Sequence, residues 1–350
     1  MGPLIFDGHN DVLSRLWGGM VDPVAEFATT NGHVNVPNAK AGGFKGGFFA
    51  IYSPMNRGVF DFTDFDPAIF SMPMPPMLDE GDALTAAIGQ AAIARQLHDA
   101  GQIEIVTDAA ALATAFIADR IACILHLEGA DCIGPDLLAL DALYALGLRS
   151  LGIVWSRPTI FGDGVPFGLG RDGDTGPGLT DDGKRLVARC KDLGIIVDTS
   201  HFTMKGFWDV AEEGVPLVAT HSNACTVLNT TRNLTDDQLK AIGETGGIAG
   251  LNFGTIFLAE DAWQTGKAPL QACIRHLAHM IEIAGEDHVA LGSDFDGAPL
   301  PDGMTSAADL PKLVVEMEAA GFGADLIAKI THENWLAHLD RHFTRNLTRP

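Results

Sequence analysis

Short apolar runs alternate along this chain with longer stretches whose apolar residues recur every three or four positions. The short runs are "LIFDGHND" (4–11), "GGFKGGFFAIY" (42–52), "ACILHLEGA" (122–130), "RSLGIVW" (149–155), "GIIVDTSH" (194–201), "PLVATHS" (216–222), "GGIAGLNFG" (246–254) and "HVALGSDFDG" (288–297). Each has the length and apolar density of a buried strand. Between them lie helical patterns such as "DEGDALTAAIGQAAIARQLHDAG", "LTDDGKRLVARCKDLG", "LTDDQLKAIGETG" and "PLQACIRHLAHMIEIAG". The second carries its own boundaries, with Thr180 as N-cap, Asp181 and Asp182 in the first turn and Gly194 as the stop. Eight strands alternating with helices predict an α/β fold, a (β/α)8 TIM barrel, whose functional groups sit at the C-terminal ends of the strands.

The polar residues follow that rule: Asp7, His9, Asp11, Glu128, His201, His221 and Asp294 each come directly after an apolar run. In an extended strand Asp7, His9 and Asp11 would share one face and could grip a cation together. Asp-Gly and Asn-Asp pairs are equally turn chemistry. A lone histidine at a strand end is more often a hydrogen-bonded structural group, and a lone carboxylate there a helix cap or salt-bridge partner. Their joint occurrence at several strand ends points instead to a metal site built from imidazole and carboxylate ligands, with a carboxylate such as Glu128 able to bridge two ions. That chemistry suggests hydrolysis. The other histidines lie mostly in helices or turns and are assigned no chemistry.

Composition narrows the class. The 350 residues are 47% apolar, enough for one large barrel domain spanning 1–350. A Pro- and Met-rich stretch from Phe60 to Met77 lacks periodicity and reads as a loop insertion over the barrel mouth, either a lid or a surface excursion. The net charge of −22 argues against nucleic acid as a partner. No run is long and apolar enough to span a membrane, and neither terminus reads as a targeting or anchor signal. Five cysteines without a Cys-x-x-Cys pair give neither a disulfide framework nor a thiolate zinc site. The expectation is a soluble cytoplasmic protein.

Taken together, "DGHND", "LHLEGAD", "GLTDDGKRLVARCKDLGIIVDTSH", "VATHSNA", "TRNLTDDQLKAI", "GGIAGLNF" and "HVALGSDFDG" strongly resemble the renal (membrane) dipeptidase family of zinc peptidases, a branch of the amidohydrolase barrels. The similarity runs from about Ile5 to about Trp335. It implies two Zn2+ per chain, with His9 and Asp11 on one, His201 and His221 on the other, and Glu128 bridging. Other divalent metals suit the same ligand types. Asp7 would then orient a ligand or close the strand end. The implied reaction is hydrolysis of small dipeptides, L-Xaa-D-Xaa included, by a metal-activated hydroxide. Asp294 resembles the acid/base residue and Arg232 the arginine that clamps substrate. Where mammalian members carry a histidine after the fourth strand, this chain has Trp155, whose indole donates one hydrogen bond but carries no charge. Oxyanion stabilisation would then fall to Arg232 and the metals, and Trp155 reads equally as a packing residue at the rim. The family is often dimeric, so a homodimer is expected by resemblance alone. Another small amide, cyclic amide or lactone is the alternative substrate class, and a non-enzymatic barrel scaffold is disfavoured because no expected ligand is missing.

Overall fold

Eight parallel strands follow one another around a ring: β1 (Ile5–Asn10), β2 (Phe44–Tyr52), β3 (Ile121–Glu128), β4 (Leu148–Gly152), β5 (Ile196–Asp198), β6 (Val218–Ala219), β7 (Ile248–Leu251) and β8 (Val289–Leu291). Each pairs with its neighbours in chain order, and β8 pairs with β1, so the sheet closes. This computed structural model describes residues 3–19, 22–54 and 72–347. The expected insertion at 60–77 lies mainly outside the described residues; its last part, Met72 to Met77, is irregular chain whose Met72 amide donates to the Phe167 carbonyl at 2.8 Å.

All eight expected strands are present. The sequence reading missed a three-residue strand, Ile103–Ile105, which pairs with the start of β3 before β4 joins the same edge, and a small hairpin of Pro158–Thr159 with Gly162–Asp163. The four helical patterns form helices Glu80–Asp99, Asp181–Leu193, Asp236–Glu244 and Gln271–Ala284. Thr180 caps the second as expected, its hydroxyl accepting from Gly183 N at 3.0 Å, and Gly194 ends it in the left-handed conformation.

Inside the barrel, alternate strand residues face inward and their chemistry changes with height. At the N-terminal end they are apolar: Phe6, Phe48, Ala122, Ile124, Ile196, Val218, Ile248 and Ala290 pack around Trp335, Leu339 and Phe343 of the C-terminal helix Asn334–Leu347. The Trp335 indole donates to the Leu291 carbonyl at 2.8 Å, so the ring plugs the barrel with its one donor satisfied. One or two inward steps further, β3 gives His126 and Glu128, β5 gives Asp198, and the chain beyond β6, β7 and β8 gives Thr220, Asn252 and Asp294. The barrel is narrow at that level, since a Cβ on Gly250 or Gly292 would fall 2.1 or 1.9 Å from the Thr220 carbonyl oxygen. Only glycine lets these strands approach so closely.

Candidate metal centre

Asp7, His9 and Asp11 do not share a strand face. Between β1 and β2 the register slips: Asp7 stands opposite Gly47 and Asn10 opposite Phe49, so three steps on β1 match two on β2. That bulge re-aims His9 into the barrel, where its ring lies 3.8 Å from that of His221 and 5.5 Å from that of His126. Asp11 has already left the strand as the residue before the helix Val12–Gly18. Asp7 turns to β8, accepting from the Ser293 amide at 2.7 Å and its hydroxyl at 2.8 Å. Of the two expected uses of Asp7, closing the strand end is the one observed. The simple alternation fails because a bulge breaks the period of two.

Three expected histidines converge on Glu128, and Asp11 joins them through His9. Glu128 Oε1 lies 3.2 Å from His201 Nε2, 3.4 Å from His221 Nε2 and 3.7 Å from His9 Nε2, while His9 Nε2 is 3.4 Å from Asp11 Oδ2. His201 and His221 Nε2 are 3.0 Å apart. Ligands held at about 2.0–2.1 Å around one tetrahedral zinc stand about 3.3 Å from each other, so these spacings suit donors sharing an ion. Donor atoms of His9, Glu128 and His221, and again of His9, Asp11 and Asp294, lie within 4.8 Å of one another. Both ring nitrogens of His9 are buried without a hydrogen-bond partner among the described residues. The charge balance agrees. Burial alone would strip His9 of its proton, but Glu128, Asp11 and Asp294 around it outweigh burial and push it up to about 10. Burial also pushes Glu128 up to about 8 against the pull of His9. A proton is held where carboxylates crowd, and a divalent cation is the natural replacement for it.

The other two imidazoles are oriented from behind. Asp198 accepts from the Ser200 amide and hydroxyl, the Thr220 amide and, at 2.6 Å, the Thr220 hydroxyl. Having donated its proton there, the Thr220 oxygen accepts from His221 Nδ1 at 2.9 Å, which leaves a lone pair at Nε2 facing Glu128. His201 Nδ1 meets the Ser156 hydroxyl at 2.8 Å. His201 and Asp294 have φ of +65° and +60°, and such backbone costs about 1–3 kcal/mol where a non-glycine residue is held in it. Burial keeps His201 and His221 well below the ordinary histidine value. His126, assigned no chemistry, lies on β3 as its apolar run predicts, beneath the cluster, its Nδ1 2.9 Å from the Ser150 hydroxyl.

Asp294 faces the same cluster. Its Oδ2 accepts from Asn252 Nδ2 at 2.9 Å, and the Asn252 amide is fixed by Gly254 N on its oxygen. Gly297 must lack a side chain, because a Cβ there would sit 2.2 Å from Asp11 Oδ2. Arg232 is 4% exposed, donates to the Ser222 hydroxyl and the His221 carbonyl at 3.1 Å each, and leaves Nε without a partner. It makes no ion pair among the described residues. A cavity of about 630 Å³ opens above, floored by Asp11, Glu128, His201 and Asp294 and walled by Tyr52, Trp155, Phe167 and Phe257. The sequence reading missed Tyr52, Ser156, Thr220 and Asn252. Tyr52 and Asn252 end or follow apolar runs and were within reach of the strand-end rule; Ser156 and Thr220 carried no signal apart from their neighbours.

A closed parallel barrel with imidazoles and carboxylates gathered at its C-terminal rim defines a metal-dependent hydrolase. Within that class, the chain belongs to the membrane dipeptidase family (peptidase family M19), whose model matches residues 3–342. A solved metallopeptidase from Rhodobacter sphaeroides, liganded with a phosphinate mimic of the dipeptide L-Ala-D-Ala, is 44% identical, covers 98% of this chain and 100% of its own, and superposes with a TM-score of 0.91. The solved dipeptidase AC, also an M19 metallopeptidase, matches with the same identity and TM-score over 98% of this chain and 99% of its own. A protein "in pqqA 5′ region" of Klebsiella pneumoniae is 41% identical over 259 residues, 73% of this chain and 96% of its own. The family implies a divalent metal and hydrolytic activity. No helix among the described residues is long and apolar enough to cross a membrane.

Proposed function

We propose that this protein is a binuclear zinc dipeptidase that cleaves small dipeptides, those of L-Xaa-D-Xaa configuration included. The observation that carries the reading is the convergence of three Nε2 atoms on Glu128 Oε1 together with the partnerless ring of His9. His9 and Asp11 would hold one ion, His201 and His221 the other, and Glu128 would bridge. Bound there, the two cations supply an acidified water and a polarised carbonyl. Asp294 does the proton work. Asn252 occupies its Oδ2, so Oδ1 takes the proton of the attacking water and returns it to the amine nitrogen as the C–N bond breaks. Arg232 receives the C-terminal carboxylate or the developing oxyanion: a buried guanidinium with no ion-pair partner and a free Nε is costly until an anion arrives. Trp155 borders the substrate beside His201, their rings 5.7 Å apart. The bound L-Ala-D-Ala mimic in the 44% identical relative supports the substrate class. The same reading makes the chain a single-domain cytoplasmic enzyme, homodimeric by family habit, with its cysteines reduced; all five are free in the structure.

The test is a side-by-side rate comparison on L-Xaa-D-Xaa and L-Xaa-L-Xaa dipeptides, cyclic amides, lactones and N-acyl amino acids. Chelator-sensitive release of amino acids from the dipeptides is expected. Turnover confined to the other classes would move the protein to a different amide or ester substrate.

A further inference from the structure

One guanidinium ties together three loops beside the metal centre. Arg157, in the chain after β4, is fully buried, and its Nε and Nη2 donate to the two oxygens of Asp131 at 2.8 and 2.9 Å. Asp131 lies three residues beyond Glu128, in the chain after β3. Nη2 also donates to the Ser53 carbonyl at 3.0 Å and Nη1 to the Tyr52 hydroxyl at 3.3 Å, both at the end of β2. The same guanidinium stands 5.2 Å from the centre of the Tyr52 ring and 5.4 Å from that of Trp155.

A buried ion pair is weak evidence of stability, since apolar pairs of similar volume often serve as well. What this one does is fix two rings of the cavity wall. Tyr52 and Trp155 meet edge-on at 5.4 Å, and Phe167 meets Trp155 at 5.6 Å and 90°. The described wall includes no lysine or arginine, whereas Asp11 and Asp296 both border the cavity. An aromatic wall without a cation favours an apolar side chain and offers an acidic one no partner.

We propose that the Tyr52, Trp155 and Phe167 wall is the subsite for a bulky apolar side chain of the dipeptide, and that Arg157 and Asp131 are its positioning residues. The inference rests on the dipeptidase reading. Its test compares kcat/KM for Ala-Ala with that for dipeptides carrying Phe, Leu or Asp at either position. The proteins are the metal-loaded enzyme, Trp155→Ala, Tyr52→Phe and the double variant Arg157→Met with Asp131→Leu. At one of the two positions Phe or Leu is favoured over Ala by about tenfold or more and Asp is disfavoured. Trp155→Ala and the double variant shrink that ratio to within about threefold, chiefly through KM for the bulky substrate, and Tyr52→Phe shrinks it partly. Thermal melts report folding, and if the double variant is unfolded the two single variants decide. A flat preference at both positions, or a ratio that survives in the folded variants, overturns the subsite while Ala-Ala hydrolysis leaves the dipeptidase reading standing. No turnover of any dipeptide overturns both.

Discussion

The two halves of the proposed metal centre are built differently. The His201 and His221 half is braced from behind: Ser156 meets one ring, and the Thr220 and Asp198 relay fixes the proton of the other. The His9 and Asp11 half has no such brace among the described residues. His9 sits in a bulge with neither ring nitrogen partnered, and carboxylates surround it. Protonation follows construction, for burial empties His201 and His221 of protons while carboxylates hold one on His9. On the proposed reading, the braced half is a pair of neutral ligands prepared in advance and the other a charged nest that would exchange a proton for an ion.

Removing what the halves share should have the largest effect. Glu128→Ala is expected to lower metal content below two ions per chain and abolish turnover, as read by elemental analysis and assay; two ions retained would mean that Glu128 bridges nothing. Next comes Asp294→Asn, expected to keep both metals yet slow kcat by about 10²- to 10⁴-fold, because the proton relay goes while the ligands stay. Parallel loss of metal and activity would make Asp294 a ligand of the His9 half, whose donors it approaches. Thr220→Val should weaken metal at the braced half by about 10- to 100-fold in competition with a chromophoric chelator, leaving the other half nearly unchanged. A uniform loss at both would deny that the relay acts on His221.

The smallest effect concerns protons. With His9 raised to about 10, it is charged at neutral pH, so filling its half must release that proton and affinity there should climb as pH rises toward 10. The His201 and His221 pair, already neutral, should add no proton of its own above about pH 7, beyond the one the shared Glu128 gives up below about pH 8. Calorimetric metal titrations in buffers of different ionisation enthalpy measure the difference as about one extra proton released at one of the two steps. Equal release at both steps would erase the contrast between the halves.

The braced half was far easier to read in the sequence than the other. "GIIVDTSH" ends in its histidine and "PLVATHS" reaches its own one residue before the end, and a buried parallel strand is apolar until it reaches the rim. "DGHND" misled because a bulge cannot be seen in a period-two pattern; the residues were right and the shared face was wrong. Ile103–Ile105 escaped because three residues are too few for a pattern, and its role is to fill the edge of β3 that β4 reaches only later. Helix ends were legible where capping chemistry is local, as at Thr180 and Gly194. Supporting groups such as Ser156 and Thr220 were not, since a hydroxyl gains meaning only from the imidazole that folding brings to it. Arg157 was invisible for the same reason: its partner Asp131 is 26 positions away in the chain and is brought to it only by the pairing of β3 with β4.

On the proposed reading these halves hold two metal ions which together hydrolyse a dipeptide. Metal content per chain by elemental analysis, paired with hydrolysis of an L-Xaa-D-Xaa panel before and after chelation, tests it most directly. About two zinc ions per chain are expected, with turnover that chelation removes and zinc restores. A chain carrying no metal after purification from zinc-supplemented medium, or dipeptide turnover indifferent to chelation, would contradict it.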